Sequence, residues 1–380
     1  MTTVLDQARA IAPTLREAAS RNEASRQLDE VTVSALAEAG IFRMVMSERL
    51  GGPQLDPLTQ LEVIEEISTA DGSAGWCSMI GSDGGYATSF LQPDVARDMY
   101  PSLDLPTALV ALPGGRASST SDGYDVSGRW PFASGSTHCR WFFLNCLVPE
   151  GDDIRRDATG MPELRMVAVD RDDVEILDTW HTTGLAGSGS HDVVVAGCHV
   201  PAERTYSLLV DTPVDRAPLY RNRWMFFVNI GAVPLGIARA ALQEALRIAD
   251  TKVVMPTFTL LREDPTLLDR VARAETLISS ARAYLWHAVD TTWEALQADR
   301  PVDAAWLQVR LATINAFRSS REAVGLVYEA VGTSGVYSSS PLDRHLRDVV
   351  TMAQHLLAQP RTLLDAGRVL VGLPPTTIGF

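Results

Sequence analysis

The sequence predicts an α+β protein in three parts: an all-α N-terminal domain, a middle antiparallel β-barrel or sandwich, and an all-α C-terminal domain. Two observations carry this. Apolar residues recur at helical spacing over 1–104 and again over 213–380. Between them, over 105–212, short β-type runs alternate with Gly, Ser, Asp and Pro clusters.

The opening MTTVLDQARAIAPTLREAASRN carries acids and reads as an amphipathic helix, not a secretory leader. Val33, Leu36 and Ala37 lie on a second helix that Gly40 closes. After the breaker-rich LGGPQLDP (50–57), Leu61, Ile64, Glu65 and Ser68 begin a helix expected to end near ADGSAGW (70–76). The β runs are ALVAL, YDVSGRW, WFFLNCLV, RMVAVD, VEILDTW and DVVVAGCHV. Asp264-Pro265 is a cap followed by proline at the first helical position, and Leu267, Val271, Ala274, Ile278, Ala281 and Leu285 then trace one apolar face. Asp303 starts another long helix carrying Trp306, Val309 and Phe317. Ser340-Pro341 repeats the cap before the last helix.

Composition narrows the function. With 46% hydrophobic and 21% charged residues, the 380-residue chain has the make-up of a globular protein. A net charge of -14 argues against nucleic acid or an anionic membrane surface as partner, and no apolar run reaches bilayer length. The four cysteines form no CxxC pair, which fits reduced thiols in a cytoplasm. GLAGSGS (184–190) is followed by a strand, DVVVAG, where a Rossmann phosphate loop needs a helix. The seven histidines lack metal-ligand spacing, and P-loop, HExxH and GxSxG motifs are missing. A self-contained nicotinamide dehydrogenase is disfavoured.

Four segments carry a resemblance: ADGSAGW (70–76), GRWPFASGSTHCRW (128–141), DTWHTTGLAGSGSHDVVVAGCHVP (178–201) and YSSSPLDRHLRDVVTMAQH (337–355). In this order, within a helix–β–helix chain, they resemble the acyl-CoA dehydrogenase superfamily, and specifically its flavin-dependent monooxygenase branch. The dehydrogenases need a carboxylate base. At one of its usual places this chain has Leu356, preceded by His355, and at the other LYRNRWMFF (219–227), which holds no acid. The stretch that helps such dehydrogenases hold FAD is replaced by TKVVMPTFTLLREDP. The resemblance therefore implies reduced FAD or FMN delivered by a separate reductase, reaction with O2 through a C4a-hydroperoxyflavin, and hydroxylation of an aromatic, indole or polyketide-like molecule. Amine or amino-sugar N-oxygenation is an alternative, as is desaturation of a thioester. It also implies that the C-terminal domain is a four-helix bundle and that the protein is a homotetramer.

By the same resemblance, Ser134 is the partner of the flavin N5 proton, with Phe132 and Gly135 beside the ring. Ser188, Gly189 and Ser190 approach the flavin phosphate through backbone N–H groups, and Arg223 meets the flavin or another anion. His355 is the catalytic imidazole, on one helical stripe with His345, Asp348 and Met352. Trp76 and Trp180 line the substrate pocket. Plain structural readings compete at each position: a serine closing a turn, a tryptophan in a core, a solvated arginine, a packed histidine. Phenol-type members carry a histidine about eight residues after the Trp of the GW pair. Here Asp83, Gly84 and Gly85 stand instead, expected to leave room for a larger substrate or to let Asp83 meet an amine.

Overall fold

The computed structural model of the chain describes residues 2–157 and 160–376. In chain order the first helices are α1 (Val4–Ser25), α2 (Glu30–Glu38), α3 (Pro57–Ala70), α4 (Gly72–Ser82), α5 (Gly84–Thr88) and α6 (Pro93–Met99). Strands follow: β1 (Thr107–Ser119), β2 (Gly123–Ala133), β3 (Trp141–Leu147), β4 (Pro149–Glu150), β5 (Asp153–Ile154), β6 (Leu164–Asp170), β7 (Glu175–Leu177), β8 (His191–Pro201) and β9 (Thr205–Tyr206). After α7 (Pro218–Arg221) and α8 (Ala232–Ala249), β10 (Val253–Val254) and β11 (Thr259–Leu260) form a small hairpin. The chain ends with α9 (Pro265–Gln297), α10 (Asp303–Val331), α11 (Pro341–Met352) and α12 (Pro360–Leu370). It divides into two compact units, 1–56, 76–181 and 186–226 against 57–75, 182–185 and 227–380. This division by packing cuts differently from the boundaries at 104 and 212 drawn from element type.

The first unit is built on one open seven-stranded sheet, ordered β7-β8-β2-β1-β3-β6-β9. The sheet is mixed, which corrects the expectation of a purely antiparallel barrel or sandwich. β1 pairs in parallel with β3, Thr107 opposite Trp141, and antiparallel with β2. The cause is the loop after Ala133. It passes the start of β1, where the Arg140 N–H donates to the Pro106 carbonyl, and so delivers β3 to the far side of β1.

Period-two alternation sorts the side chains of that sheet. Phe142, Leu144, Cys146, Val167 and Val169 join Trp130 and Val193 in one core. Trp141, Phe143, Met166 and Ala168 face the other way, onto Leu91, Ala96 and Met99. Both faces are covered, which is why WFFLNCLV reads as a continuous apolar run. Gly40, at φ +76, ends α2 as expected.

In the second unit α3 packs on α8 and α9, and α10 lies against α8, α9 and α11. The Asp264 carboxylate accepts the N–H groups of Thr266 and Leu267, so the expected cap is present. Leu267, Ala274, Ile278, Ala281 and Leu285 are buried. Met225–Ala249 is long and apolar enough to cross a membrane by composition, but 89% of its most apolar window is buried. One helix-boundary expectation holds and another needs correction. α3 ends at Ala70, the first residue of ADGSAGW, as expected, and Gly72 opens a further helix, α4, which carries Trp76. Ser340-Pro341 does start α11, but Ser340 makes no side-chain cap bond and α12 follows as the last helix.

Candidate active site

Ser134 opens the crossover loop between β2 and β3, at the rim of the sheet. The backbone is left-handed at Phe132 (φ +62) and Gly135 (φ +74), which turns the chain sharply after β2. Ser134 is buried. Its Oγ accepts the Trp76 Nε1–H at 2.9 Å and lies 2.8 Å from Ser190 Oγ, which is 2.7 Å from Ser188 Oγ. The two loops are also joined through their backbones: the Gly135 N–H donates to the Ser188 carbonyl at 2.9 Å, and the Ser136 hydroxyl to the Gly189 carbonyl at 2.8 Å. Thus Trp76, Ser134, Gly135, Ser188, Gly189 and Ser190 come together from three segments. Ser188 and Ser190 take part through their hydroxyls, a role not anticipated from the sequence.

Beside this cluster Phe132 is 63% exposed, an unusual setting for a phenylalanine held in strained backbone. Its ring meets Trp180 edge-on, centroids 6.2 Å apart. Trp180 is held by its backbone N–H, which donates to His191 Nδ1, while neighbouring Asp178 pairs with Arg26. Thr137 Oγ1, in the same loop, is buried without a partner. An exposed aromatic edge, a buried chain of hydroxyls and an unsatisfied hydroxyl fit a planar ring system with a polar rim, such as a flavin. His138, one residue further, also went unremarked in the sequence. It packs near Phe42, and burial lowers its pKa to about 4.

Arg223 and Asp83 lie elsewhere in this unit. Arg223 lines a narrow cavity of about 10 Å³, the room one water needs, with Tyr86, Tyr206, Tyr220 and Phe226. Its guanidinium donates to the Leu208 carbonyl at 2.7 Å. Asp83 is buried, and desolvation raises its pKa well above the usual carboxylate range. The idea that Gly84 and Gly85 make room is overturned: a Cβ on Gly84 would meet Thr107 Oγ1 at 2.6 Å, and one on Gly85 the Val45 carbonyl at 2.4 Å. These glycines permit close packing.

His355 belongs to the second unit. It does not continue the α11 stripe. The helix stops at Met352, and His355 caps the short 3-10 turn Leu356–Ala358, its Nδ1 accepting the Leu357 N–H at 3.3 Å. Burial, then the charge of Arg310, lowers its pKa to about 4, so the ring is neutral near pH 7 with its proton on Nε2. His345, Asp348 and Met352 do share the buried face of α11, where Asp348 accepts the Leu185 N–H at 2.6 Å. Arg347 pairs with Asp343 one turn earlier on the same helix.

An open mixed sheet with helical segments before and after it is the architecture shared with the proteins this chain resembles. Two family models match the chain, the acyl-CoA dehydrogenase N-terminal domain over residues 4–91 and the acyl-CoA dehydrogenase C-terminal domain over 228–360. Indole-3-acetate monooxygenase from Pseudomonas putida is 30% identical over 366 residues, 95% of this chain and 92% of that protein. The flavin-dependent monooxygenase oxygenase subunit HsaA of Rhodococcus jostii is 28% identical, over 97% of this chain and 98% of that protein. Among solved structures, 3-HSA hydroxylase from Rhodococcus sp. RHA1 matches with a TM-score of 0.90 and 27% identity over 98% of both chains. The chain belongs to the acyl-CoA dehydrogenase family and, within it, to the flavin-dependent monooxygenases.

Proposed function

We propose that this protein is the oxygenase of a two-component system, a cytoplasmic homotetramer that takes reduced flavin from a separate reductase and hydroxylates an aromatic molecule. The observation that carries this reading is the Ser134 cluster beside Phe132, in a chain whose two usual base positions hold no carboxylate. The relatives' names support it: one is an oxygenase subunit, another acts on indole-3-acetate. Reduced flavin, when bound, supplies two electrons that split O2, one oxygen atom going to the substrate and the other to water.

The chain's own residues have three tasks. Ser134 faces the hydrogen-bonding edge of the ring and is kept in place by Trp76 and Ser190. Phe132 and Trp180, which meet edge to face, would pack against the ring of a bound flavin. His355, neutral and protonated at Nε2, is the imidazole of this chain suited to hold a proton. An aromatic substrate is favoured over an amine because Asp83, the acid that would meet an amine, is buried.

The test uses purified protein with anaerobically reduced FAD or FMN, mixed with labelled O2 and a panel of aryl compounds. Label in a hydroxylated product is the expected result. Reduction of bound oxidised flavin by an acyl-CoA thioester would overturn it and restore the desaturase reading.

A further inference from the structure

The serine chain has more hydroxyls than are needed to hold one ring atom. Each hydroxyl has one proton to give and two lone pairs to fill. Trp76 Nε1–H can only donate, so one lone pair of Ser134 is always occupied. Ser190, at 2.8 Å, can be either donor or acceptor, and so can Ser188 beyond it at 2.7 Å. Ser134 can take two roles in these bonds, acceptor from Ser190 or donor to it. If Ser188 donates to Ser190 and Ser190 to Ser134, both Ser134 lone pairs are full and its proton points out of the chain. If Ser134 donates to Ser190 and Ser190 to Ser188, one Ser134 lone pair faces outward instead. Passing between the two needs only rotation about C–O bonds. No heavy atom moves and no proton leaves its oxygen. All three serines are buried, at 6%, 4% and 1% exposure for Ser134, Ser190 and Ser188, so water does not substitute readily for a missing partner.

This matters because a flavin ring nitrogen is a bare acceptor in the oxidised form and an N–H donor in the reduced form. We propose that Ser190 is a positioning residue which, acting through Ser134, lets the site accept the N–H of reduced flavin and so sets its preference for that form. The inference rests on the reading that Ser134 faces the ring nitrogen. With Ser190 present, Ser134 gives its proton to Ser190 and turns a lone pair to the ring. Without Ser190, Ser134 loses the hydroxyl that takes its proton among the described residues, and the proton turns to the ring, which suits only the oxidised form.

The experiment measures dissociation constants for oxidised and, anaerobically, for reduced flavin, on the wild type and four variants. Ser190→Ala is expected to raise the constant for reduced flavin ~3- to 10-fold, the loss of one hydrogen bond, with the oxidised constant nearly unchanged. Ser190→Thr, which keeps the hydroxyl, should restore the ratio. Trp76→Phe removes a donor common to both arrangements and should weaken both forms alike. Ser134→Ala tests the underlying reading: if neither constant moves, Ser134 does not face the ring. If Ser134→Ala weakens binding but Ser190→Ala leaves the ratio of the two constants at the wild-type value, the role of Ser190 is wrong while the site assignment stands.

Discussion

At the scale of single residues, Ser134 and His355 make opposite kinds of contribution, and substitutions separate them. Ser134→Ala deletes a buried hydroxyl that bonds Trp76 and Ser190. One hydrogen bond of about 0.5–1.5 kcal/mol is too little to abolish flavin binding. More of the consumed O2 should then appear as H2O2 and less as hydroxylated product. A peroxide-to-product ratio equal to wild type would remove Ser134 from the chemistry. His355 has two duties, since it also caps the turn at Leu357. His355→Ala loses both and should lower the melting temperature as well as the rate. His355→Asn keeps a side-chain acceptor for the cap, so it should retain stability and still lose the oxygenation rate on the order of 10²-fold. His345→Ala, on buried α11, should cost stability alone. A His355→Asn enzyme turning over at the wild-type rate would leave the cap as that residue's whole function.

At the scale of elements, Gly85 gives a sharp prediction. Ala at this position places its Cβ against the Val45 carbonyl, and backbone cannot yield as a flexible side chain would. Gly85→Ala should destabilise the protein by about 1–3 kcal/mol, visible as an earlier urea midpoint. If the midpoint holds, the segment around Val45 is softer than its packing implies, and room for substrate returns as an explanation. The same position shows what the sequence conveyed and what it withheld. Local signals were legible: Asp264-Pro265 as a cap, the buried face from Leu267 to Leu285, the left-handed Gly40. These depend on neighbours within a turn or two. Partner choice was not. Nothing in β1 or β3 states that they pair in parallel, because that follows from the loop after Ala133 passing the start of β1. The course of the chain at His355 was equally hidden, since the first proline that marks a new helix comes only at Pro360. Ser134, Ser188 and Ser190 lay in segments singled out by resemblance, yet their joining into one hydroxyl chain depends on contacts across more than fifty positions of sequence.

At the scale of the whole molecule, buried imidazoles tie stability to pH. Burial lowers the pKa of His138 to about 4, of His345 to about 3 and of His355 to about 4. The ordinary value is 6.5. Between that value and about 4 the unfolded chain therefore binds protons that the folded chain refuses. Stability contributed by the neutral rings is complete above pH 6.5 and is lost as the pH falls through the window toward 4. Asp83 and Glu65 work the other way, because burial raises their pKa and folding takes up a proton as the pH drops. The net charge of -14 adds a second opposing effect, since titrating acids relieves self-repulsion. High salt screens that repulsion between exposed charges and leaves the buried groups almost untouched. Urea midpoints in high salt should accordingly be flat from pH 8 to 6.5 and then fall toward pH 4.5. His345 is the group to remove, because it is 5% exposed and its Nδ1 is buried without a partner. His345→Leu takes one proton-binding site out of the unfolded chain at little packing cost, so its midpoint should fall less steeply, by at most about 1.4 kcal/mol per pH unit. Equal slopes for the two proteins would mean that the folded chain protonates His345 as readily as the unfolded one does, which its burial among the helices of the second unit forbids.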